Sequence, residues 1–361
     1  MRPMDEGIYR MIDANLHRAA EGLRVLMDIA RFVCDDVGAS GRLKAVRHGL
    51  FEAVETLPSY YAKAVQARDA EEDVGRSAGA GVMGRRHDLP DLYLANLHRS
   101  QEALRALEEC AKLISPVLGS QLEDLRFTLY SVDKAFLPSV LKAGSESLMD
   151  FDLYVVTDQS LSRGRDFVTV IESAVQGGAG AIQLRAKHLG KREMLSVARD
   201  IRSLTRERGI TFFVNDHLDI ALACEADGCH LGQDDFPIDE ARRIVGAGFI
   251  LGASTHSVEQ ALEAEAQGAS YVNVGPIYPT KTKETSCPPV GVELITKVKE
   301  RVRIPQTCMG GINSSNVHEV ILAGADRVAV VSAVVAADDI EAAARNLLDR
   351  ISQAKKQRGD D

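Results

Sequence analysis

The chain has 361 residues, more than one ordinary domain needs and enough for a barrel of about 250 residues with a smaller partner domain. Hydrophobic residues make up 45% and the net charge is -9 at pH 7, which argues for a large core and against general binding to nucleic acid or membrane surfaces. The sequence has no apolar run of membrane-spanning length and starts without the apolar core of a signal peptide, so we expect a cytoplasmic protein.

The first 137 residues are rich in alanine, leucine, arginine and glutamate, which predicts a helical domain. The segment that begins at Ala14 recurs at Ala95, and each copy carries three leucines at helical spacing. Each copy also carries the same row of polar residues; the two rows are His17, Arg18, Glu21 and Arg24, and His98, Arg99, Glu102 and Arg105. If the copies pair about a pseudo-twofold axis, the rows form a buried polar network or a site for an anionic ligand. The alternative is a set of structural ion pairs between packed helices.

A stretch of glycines and arginines that includes Arg76 lies between the two copies. Its composition predicts a mobile loop that could cover a phosphate, although it lacks the Gly-Lys-Ser/Thr of a Walker A loop. The helical stripe is then lost near Pro138. We therefore predict a linker over residues 138–150 and a second domain over residues 151–355.

In the second domain, short apolar strands alternate with amphipathic helices, the pattern of parallel βα units. The predicted strands are Leu153–Thr157, Ala181–Leu184, Phe212–Asn215, Gly228–Leu231, Phe249–Ala253, Tyr271–Val274, Gln306–Met309 and Arg327–Val331. Eight such units in roughly 200 residues predict an α/β fold of the compact (β/α)8 TIM-barrel type. A doubly wound sheet is the alternative.

Polar residues follow most of these strands, where a barrel of this kind places its chemistry. Gln183, Arg185 and Lys187 alternate after the second strand and can converge on one ligand. Asp216 and Asp235 follow the third and fourth strands and offer oxygen ligands suited to Mg²⁺. A single aspartate in such a place is often only a helix N-cap, so that interpretation stays open.

The loops after the last three predicted strands are suited to phosphate. The sixth strand runs into two prolines followed by Thr280, Thr282 and Lys283, whose hydroxyl and ammonium groups match phosphate oxygens; a solvated basic turn is the alternative. Gly310-Gly311 and Ser332 follow the last two strands, the usual position of a phosphate cup. Two adjacent glycines could equally reflect tight packing.

Taken together, the motifs IQLRAK, LGASTHS, YVNVGPIYPTKTK and GGINSSNV resemble those of the thiamine phosphate synthase family, in family order, over roughly residues 150–350. The resemblance implies that a hydroxymethylpyrimidine diphosphate loses pyrophosphate while a thiazole phosphate is joined to it, with Mg²⁺ as cofactor. A phosphosugar isomerase on the same barrel is the alternative, and it would release no pyrophosphate.

The resemblance also implies a role for each site residue. The pyrimidine diphosphate is held by Gln183, Arg185, Lys187, Asn215 and Lys283, and Ser254 lies against the reacting pyrimidine. Asp216 and Asp235 bind Mg²⁺. The thiazole phosphate is held by Thr280, Thr282, Gly311, Val331 and Ser332. Of these residues, Arg185, Lys187, Ser254 and Lys283 are expected to act in catalysis.

The first domain resembles a helical domain fused to some members of that family, for which a hydroxymethylpyrimidine-phosphate kinase activity is proposed. The resemblance implies ATP as a further substrate and the two polar rows, with Arg76, as the site. A non-catalytic dimerisation domain is the alternative. We expect small-molecule substrates, no nucleic-acid partner and a homo-oligomer.

Overall fold

The computed structural model describes residues 3–67, 88–280 and 287–360, and the predicted sites at Arg76, Thr282 and Lys283 lie outside these residues. The chain divides between Gly144 and Ser145 into two compact units, the first helical and the second built of strands and helices. Within the described residues, no helix combines the length and the hydropathy that crossing a membrane requires.

The first unit is built from long helices around one apolar core. Its helices are α1 Pro3–Phe32, α2 Val37–Glu55, α3 Tyr60–Ala67, α4 Leu89–Lys112 and α5 Pro116–Ser147. The two repeat copies lie on α1 and α4, and their leucines are fully or nearly fully buried, as the helical spacing predicts: Leu16, Leu23, Leu26, Leu97, Leu104 and Leu107.

The two repeat copies pack directly against each other. A Cβ on Gly22 would lie 2.3 Å from Ser100 Oγ and 2.8 Å from the Asn96 carbonyl oxygen, so α1 and α4 approach this closely only because residue 22 is glycine. Ser100 Oγ also lies 3.4 Å from the carbonyl oxygen of Ala19. Ala19 and Ser100 occupy the same position in the two copies, so the helices cross at equivalent residues, as a twofold pairing requires.

The predicted linker over residues 138–150 is wrong for most of its length, because α5 continues as a helix to Ser147. Pro138 removes one backbone donor from this helix, which normally favours a break. Its neighbours Phe136 and Val140 are fully buried in the helical core. Packing of an apolar face supplies most of the stability of a helix in a protein, and here it carries α5 through the proline.

The second unit is a closed barrel of eight parallel strands in chain order, which confirms the predicted fold class. The strands are β1 Leu153–Val156, β2 Ala181–Leu184, β3 Thr211–Asn215, β4 Gly228–Leu231, β5 Ile250–Thr255, β6 Tyr271–Val274, β7 Gln306–Cys308 and β8 Arg327–Val330. The helices are α6 Phe167–Gln176, α7 Lys191–Arg208, α8 Leu218–Ala223, α9 Ile238–Val245, α10 Val258–Ala266, α11 Glu293–Arg301, α12 Val317–Leu322, α13 Ser332–Val335 and α14 Ile340–Arg358.

Alternate residues of each strand face two different apolar layers. On β1, Leu153 and Val155 belong to the layer between strands and helices, whereas Tyr154 and Val156 belong to the interior of the barrel. Phe213 lies in the interior between Tyr154 and Tyr271, with ring centroids 5.1 and 5.6 Å away. The interior is therefore filled with side chains, as in other barrels of this size.

The helical unit also buries one carboxylate among three cations. Glu108 on α4 has no exposed side-chain surface, and it accepts hydrogen bonds from Arg105 at 2.7 Å, Lys112 at 2.6 Å and Arg126 at 2.9 Å. Burial by itself would raise the pKa of Glu108, but these bonds and charges lower it below its usual value. Glu108 is therefore ionised at neutral pH and ties α4 to α5.

We predict that Glu108→Gln lowers the free energy of unfolding by about 3 kcal/mol at neutral pH, because it leaves buried cations without their counter-charge. A carboxylate with a lowered pKa stabilises the fold above its usual pKa and loses that effect as the pH falls through the lowered value. The difference between wild type and variant should therefore narrow in acid. Urea denaturation across pH measures both effects.

Glu109→Gln is the matched control for this experiment. Glu109 is the next residue, is about half exposed, and pairs with Arg105 and Lys112 at 3.0 Å each. Exposed ion pairs contribute little, so the control should change stability by less than about 1 kcal/mol. Equal losses for the two variants would show that Glu108 is not the residue that holds this cluster together.

Candidate active site

A cavity of about 300 Å³ lies at the carboxyl ends of the barrel strands. The predicted barrel residues within the described part of the chain all line it, and they are Gln183, Arg185, Lys187, Asn215, Asp216, Asp235, Ser254, Thr280, Gly311, Val331 and Ser332. The structure therefore brings them to one place. The role of each residue stays a prediction, because this placement does not test it.

The guanidinium group of Arg185 is held by a carboxylate that the sequence analysis missed. Arg185 follows β2, and its side chain forms a largely buried ion pair with Asp158. Its backbone N–H donates to Thr157 Oγ1 at 2.9 Å. Asp158 lies two residues after the end of β1 and also accepts from the backbone N–H of Ser160 at 3.0 Å. Its position at a strand end is the signal that could have identified it.

The two aspartates predicted to bind a metal have different backbone environments. Asp216 has a φ of +61°, rare for a residue other than glycine, and its N–H donates to the His230 carbonyl at 2.9 Å. It does not cap α8, whose N-cap is His217, so the capping interpretation is wrong for this residue. Asp235 accepts from the Gly232 N–H at 2.7 Å.

Asp216 and Asp235 do not make up a metal site by themselves. Within the described residues, no group of three or more His, Cys, Asp and Glu side chains could hold a metal ion. Mg²⁺ typically takes one or two carboxylates from the protein and completes its shell with water and substrate phosphates. Two hard oxygen ligands beside an anion-suited cavity fit Mg²⁺ in that mode, and they do not suit zinc.

The loop after β6 is fastened to the loop after β7. The N–H groups of Ile277 and Tyr278 donate to the carbonyls of Met309 and Gly310, both at 2.9 Å. Gly310 has a φ of +102°, and a Cβ there would lie 2.5 Å from Pro276 Cα. Tight packing thus accounts for this glycine whether or not the loop binds phosphate.

Tight packing also accounts for Gly311, the glycine that we predicted to contact the thiazole phosphate. Gly311 has a φ of +67°, and a Cβ there would lie 2.7 Å from the Pro279 carbonyl oxygen. Thr280 and Gly311 of these two loops nevertheless line the same cavity, together with Ser332 after β8. Packing and anion binding are therefore compatible interpretations of the glycine pair.

Among the polar residues that line the cavity without an assigned binding role, two lie within strands. His230 on β4 lies behind Ser254, with its Nε2 2.9 Å from Ser254 Oγ. Asn273 on β6 accepts a hydrogen bond from Thr307 Oγ1 at 2.9 Å. Both are largely buried. A polar residue inside an otherwise apolar strand is the signal that marks them.

The polar rows of the helical unit are exposed, so the prediction of a buried polar network is wrong. The exposed residues are His17, Arg18, Glu21, Arg24, His98, Arg99, Glu102 and Arg105. The ion pairs also differ from those suggested by the sequence: Arg24 pairs with Asp28 at 3.1 Å, and Arg105 pairs with Glu108 and Glu109. The i, i+4 spacing places Asp28 beside Arg24.

An eight-stranded parallel barrel with charged and polar side chains at its carboxyl end belongs to the class of (β/α)8-barrel enzymes. Within that class, the thiamine monophosphate synthase family model matches residues 153–334. The ThiD2 family model matches residues 10–135.

Similar proteins agree with this assignment. A thiamine-phosphate synthase from Thermosynechococcus vestitus is 38% identical, and the match covers 98% of this chain and 99% of that protein. A thiamine-phosphate synthase from Chloroflexus aurantiacus is 50% identical over 55% of this chain and 92% of its own length. A solved thiamine phosphate pyrophosphorylase from Pyrococcus furiosus is 40% identical with a TM-score of 0.53, covering 58% of this chain and 98% of that one.

The chain therefore belongs to the thiamine monophosphate synthase family, and it carries a ThiD2-family region before the barrel. Its barrel is a transferase of thiamine biosynthesis with thiamine-phosphate synthase activity.

We predict that Gly310→Ala lowers the free energy of unfolding by more than about 2 kcal/mol, because the new methyl group must displace the backbone at Pro276 while residue 310 keeps a positive φ. Gly164→Ala is the control, since Gly164 has a φ of +80° and no atom within 4 Å of the position of a Cβ. That control should cost only about 1 kcal/mol. Urea unfolding compares them; equal losses would mean that loop packing does not require Gly310.

Proposed function

We propose that the barrel joins an aminopyrimidine methyl diphosphate to a thiazole phosphate, giving thiamine monophosphate and pyrophosphate. In this reaction the thiazole nitrogen forms a bond to the pyrimidine methylene carbon. The bond from that carbon to the diphosphate oxygen breaks, and pyrophosphate leaves with the electron pair. One observation carries the proposal: a single cavity of a barrel of this family is lined by cations and glycines suited to phosphate and by carboxylate oxygens suited to Mg²⁺.

The leaving group is held by the cations that follow β2. Arg185 and Lys187 lie two residues apart and both line the cavity. Asp158 fixes the guanidinium group of Arg185, so less side-chain entropy is lost when the diphosphate binds. Charge on the departing pyrophosphate grows in the transition state, and cations already in place stabilise it most at that point.

Asp216 and Asp235 would hold Mg²⁺ against the diphosphate. When bound, the ion would supply charge neutralisation and orientation for the leaving group. Asn215, next to Asp216, also lines the cavity. These residues position the diphosphate, and no nucleophile from the protein is needed.

The second substrate occupies the opposite side of the site in this proposal. Thr280, Gly311, Val331 and Ser332 follow β6, β7 and β8, line the cavity and would bind the thiazole phosphate. The resemblance assigns Thr282 to the same phosphate and Lys283 to the diphosphate, although both lie outside the described residues. Holding both substrates in line converts a bimolecular step into an effectively unimolecular one.

We predict that the double variant Asp216→Asn and Asp235→Asn loses Mg²⁺-dependent pyrophosphate release by at least about a hundredfold, because the ion is no longer held. Steady-state pyrophosphate release measured across a Mg²⁺ titration tests this. Asp239→Asn is the control, since Asp239 is a partly exposed α9 residue that does not line the cavity and pairs with Arg243 at 3.1 Å. Turnover by the double variant close to that of the control would overturn the metal assignment.

We also propose that the helical unit phosphorylates hydroxymethylpyrimidine phosphate. It would transfer the γ-phosphoryl group of ATP to the substrate phosphate and release ADP, so that it makes the diphosphate that the barrel consumes. The match of the ThiD2 family to residues 10–135 supports this proposal over a non-catalytic dimerisation domain. The exposed arginines of the two rows, with Arg76, are the candidates for binding the phosphates. A homo-oligomeric state stays a prediction.

We predict that the full-length chain carrying Asp216→Asn and Asp235→Asn accumulates pyrimidine diphosphate and ADP when given ATP and the pyrimidine monophosphate. The barrel variant blocks consumption but leaves the helical unit intact. Phosphorus NMR follows both products over time. Adding Arg18→Ala should slow ADP formation about tenfold or more, because a charged hydrogen bond to phosphate is lost.

Arg31→Ala is the control for the arginine effect, because Arg31 is also an exposed α1 residue but lies outside the repeated row. It should leave ADP formation unchanged. If no full-length variant forms ADP above background, the kinase proposal is wrong and the synthase proposal is unaffected.

A further inference from the structure

A chain of buried hydrogen bonds crosses the barrel beneath the cavity and joins two of the residues that line it. Gln183 Nε2 lies 2.6 Å from the Tyr154 hydroxyl, which lies 3.3 Å from the Tyr271 hydroxyl. The Tyr271 hydroxyl lies 2.9 Å from His230 Nδ1, and His230 Nε2 lies 2.9 Å from Ser254 Oγ. Gln183 and Ser254, on strands three apart in the barrel order, are thus linked by continuous contacts.

The packing around this chain depends on a glycine. A Cβ on Gly252 of β5 would lie 2.4 Å from the Tyr271 hydroxyl and 2.5 Å from His230 Nδ1. No other residue type leaves room for that hydrogen bond. Phe213 packs against the rings of both tyrosines. Both tyrosines are almost completely buried, so their hydroxyls must find partners within the protein.

The number of protons on these groups decides which group donates in each hydrogen bond of the chain. Burial raises the pKa of Tyr154 and Tyr271 well above the usual value, so each hydroxyl keeps its single proton. The Tyr154 oxygen accepts from Gln183, so its own proton goes to the Tyr271 oxygen. Tyr271 must then donate to His230 Nδ1.

The direction of the last hydrogen bond, between His230 and Ser254, follows from the same count of protons. With Nδ1 of His230 accepting a hydrogen bond, the ring proton is on Nε2, which donates it to Ser254 Oγ. The Ser254 oxygen is then an acceptor within the chain, and its hydroxyl proton can donate into the cavity. At the other end, Gln183 donates through its nitrogen and can present its amide oxygen as an acceptor.

We propose that Tyr154, Tyr271 and His230 are positioning residues that make Ser254 a donor and Gln183 an acceptor toward the ring of the pyrimidine substrate. An aminopyrimidine edge offers an amino donor and a ring-nitrogen acceptor, which are the complements of those two groups. The substrate part of this inference rests on the synthase reaction proposed above. The direction of the hydrogen bonds, from donor to acceptor, does not depend on that reaction.

The proposal would be overturned if the hydrogen bonds ran in the opposite direction. If Ser254 donated to Nε2, the proton of His230 would sit on Nδ1, and every bond in the chain would reverse. Gln183 would then accept from Tyr154 and offer only donors to the cavity. The tautomer of one histidine therefore reports the direction of all four bonds.

The first test is ¹⁵N NMR of the full-length protein with labelled histidine, near neutral pH and without substrate. The His230 signal is identified by its loss in His230→Gln. A neutral ring protonated on Nε2 supports the proposal. A ring protonated on Nδ1, or one that averages both tautomers, overturns it. In Tyr271→Phe, the hydroxyl that donates to His230 Nδ1 is missing. We therefore expect a weaker preference for protonation on Nε2 than in the wild type.

The second test is steady-state kinetics of Tyr154→Phe and Tyr271→Phe, which keep the ring and remove only the hydroxyl. Each should raise KM for the aminopyrimidine diphosphate about tenfold, the usual cost of a misdirected buried hydrogen bond. KM for the thiazole phosphate should change less than about twofold. The double variant should raise this first KM little more than either single variant, because both substitutions interrupt the same chain of hydrogen bonds.

Tyr93→Phe is the matched control, since Tyr93 is a buried tyrosine of the helical unit that donates to Asp133 at 3.0 Å. It should leave both KM values unchanged. Equal changes in both KM values for the barrel variants would indicate a structural role only and overturn the positioning role. If wild type forms no thiamine phosphate, the proposed reaction fails, while the tautomer still decides the direction of the chain.

Discussion

Closure of the barrel is the constraint on which the rest of the second unit depends. Each strand pairs with two neighbours, and most strands bury every residue because helices cover one face and interior side chains cover the other. A buried polar group needs a partner, so most strand positions are restricted to apolar residues. Charged side chains are therefore concentrated where the strands end, and the short strands bring those ends into one ring.

This constraint explains why the fold could be predicted from the sequence. All eight strands lie within two residues of their predicted bounds, and the largest difference is at β5, which ends at Thr255 instead of Ala253. Short apolar runs and the turns between them carry that information locally. The cavity residues could be predicted for the same reason, because a position at a strand end is visible in the sequence.

What the sequence left undetermined depends on contacts between distant segments. Pro138 suggests a helix end, and only burial of its neighbours in the helical core shows that α5 continues. Asp158 becomes part of the site through Arg185, 27 positions further along the chain. Tyr271 looks like any apolar strand residue until its hydroxyl is placed between Tyr154 and His230. The polar rows show the reverse case, since their repetition suggested burial and the structure exposes them.

The aromatic layer inside the barrel has a consequence for the order of events in one catalytic cycle. Within the described residues, Tyr154, Phe213 and Tyr271 fill the barrel directly beneath Gln183 and Ser254. Substrates therefore enter from the side of the strand-end loops, and products leave by that same side. A ligand seated against Gln183 and Ser254 is the innermost one, so a second ligand nearer the loops blocks its exit. We expect the pyrimidine-bearing substrate to enter first and the pyrimidine-bearing product to leave last, so that thiamine monophosphate inhibits by competing with the first substrate for the free enzyme.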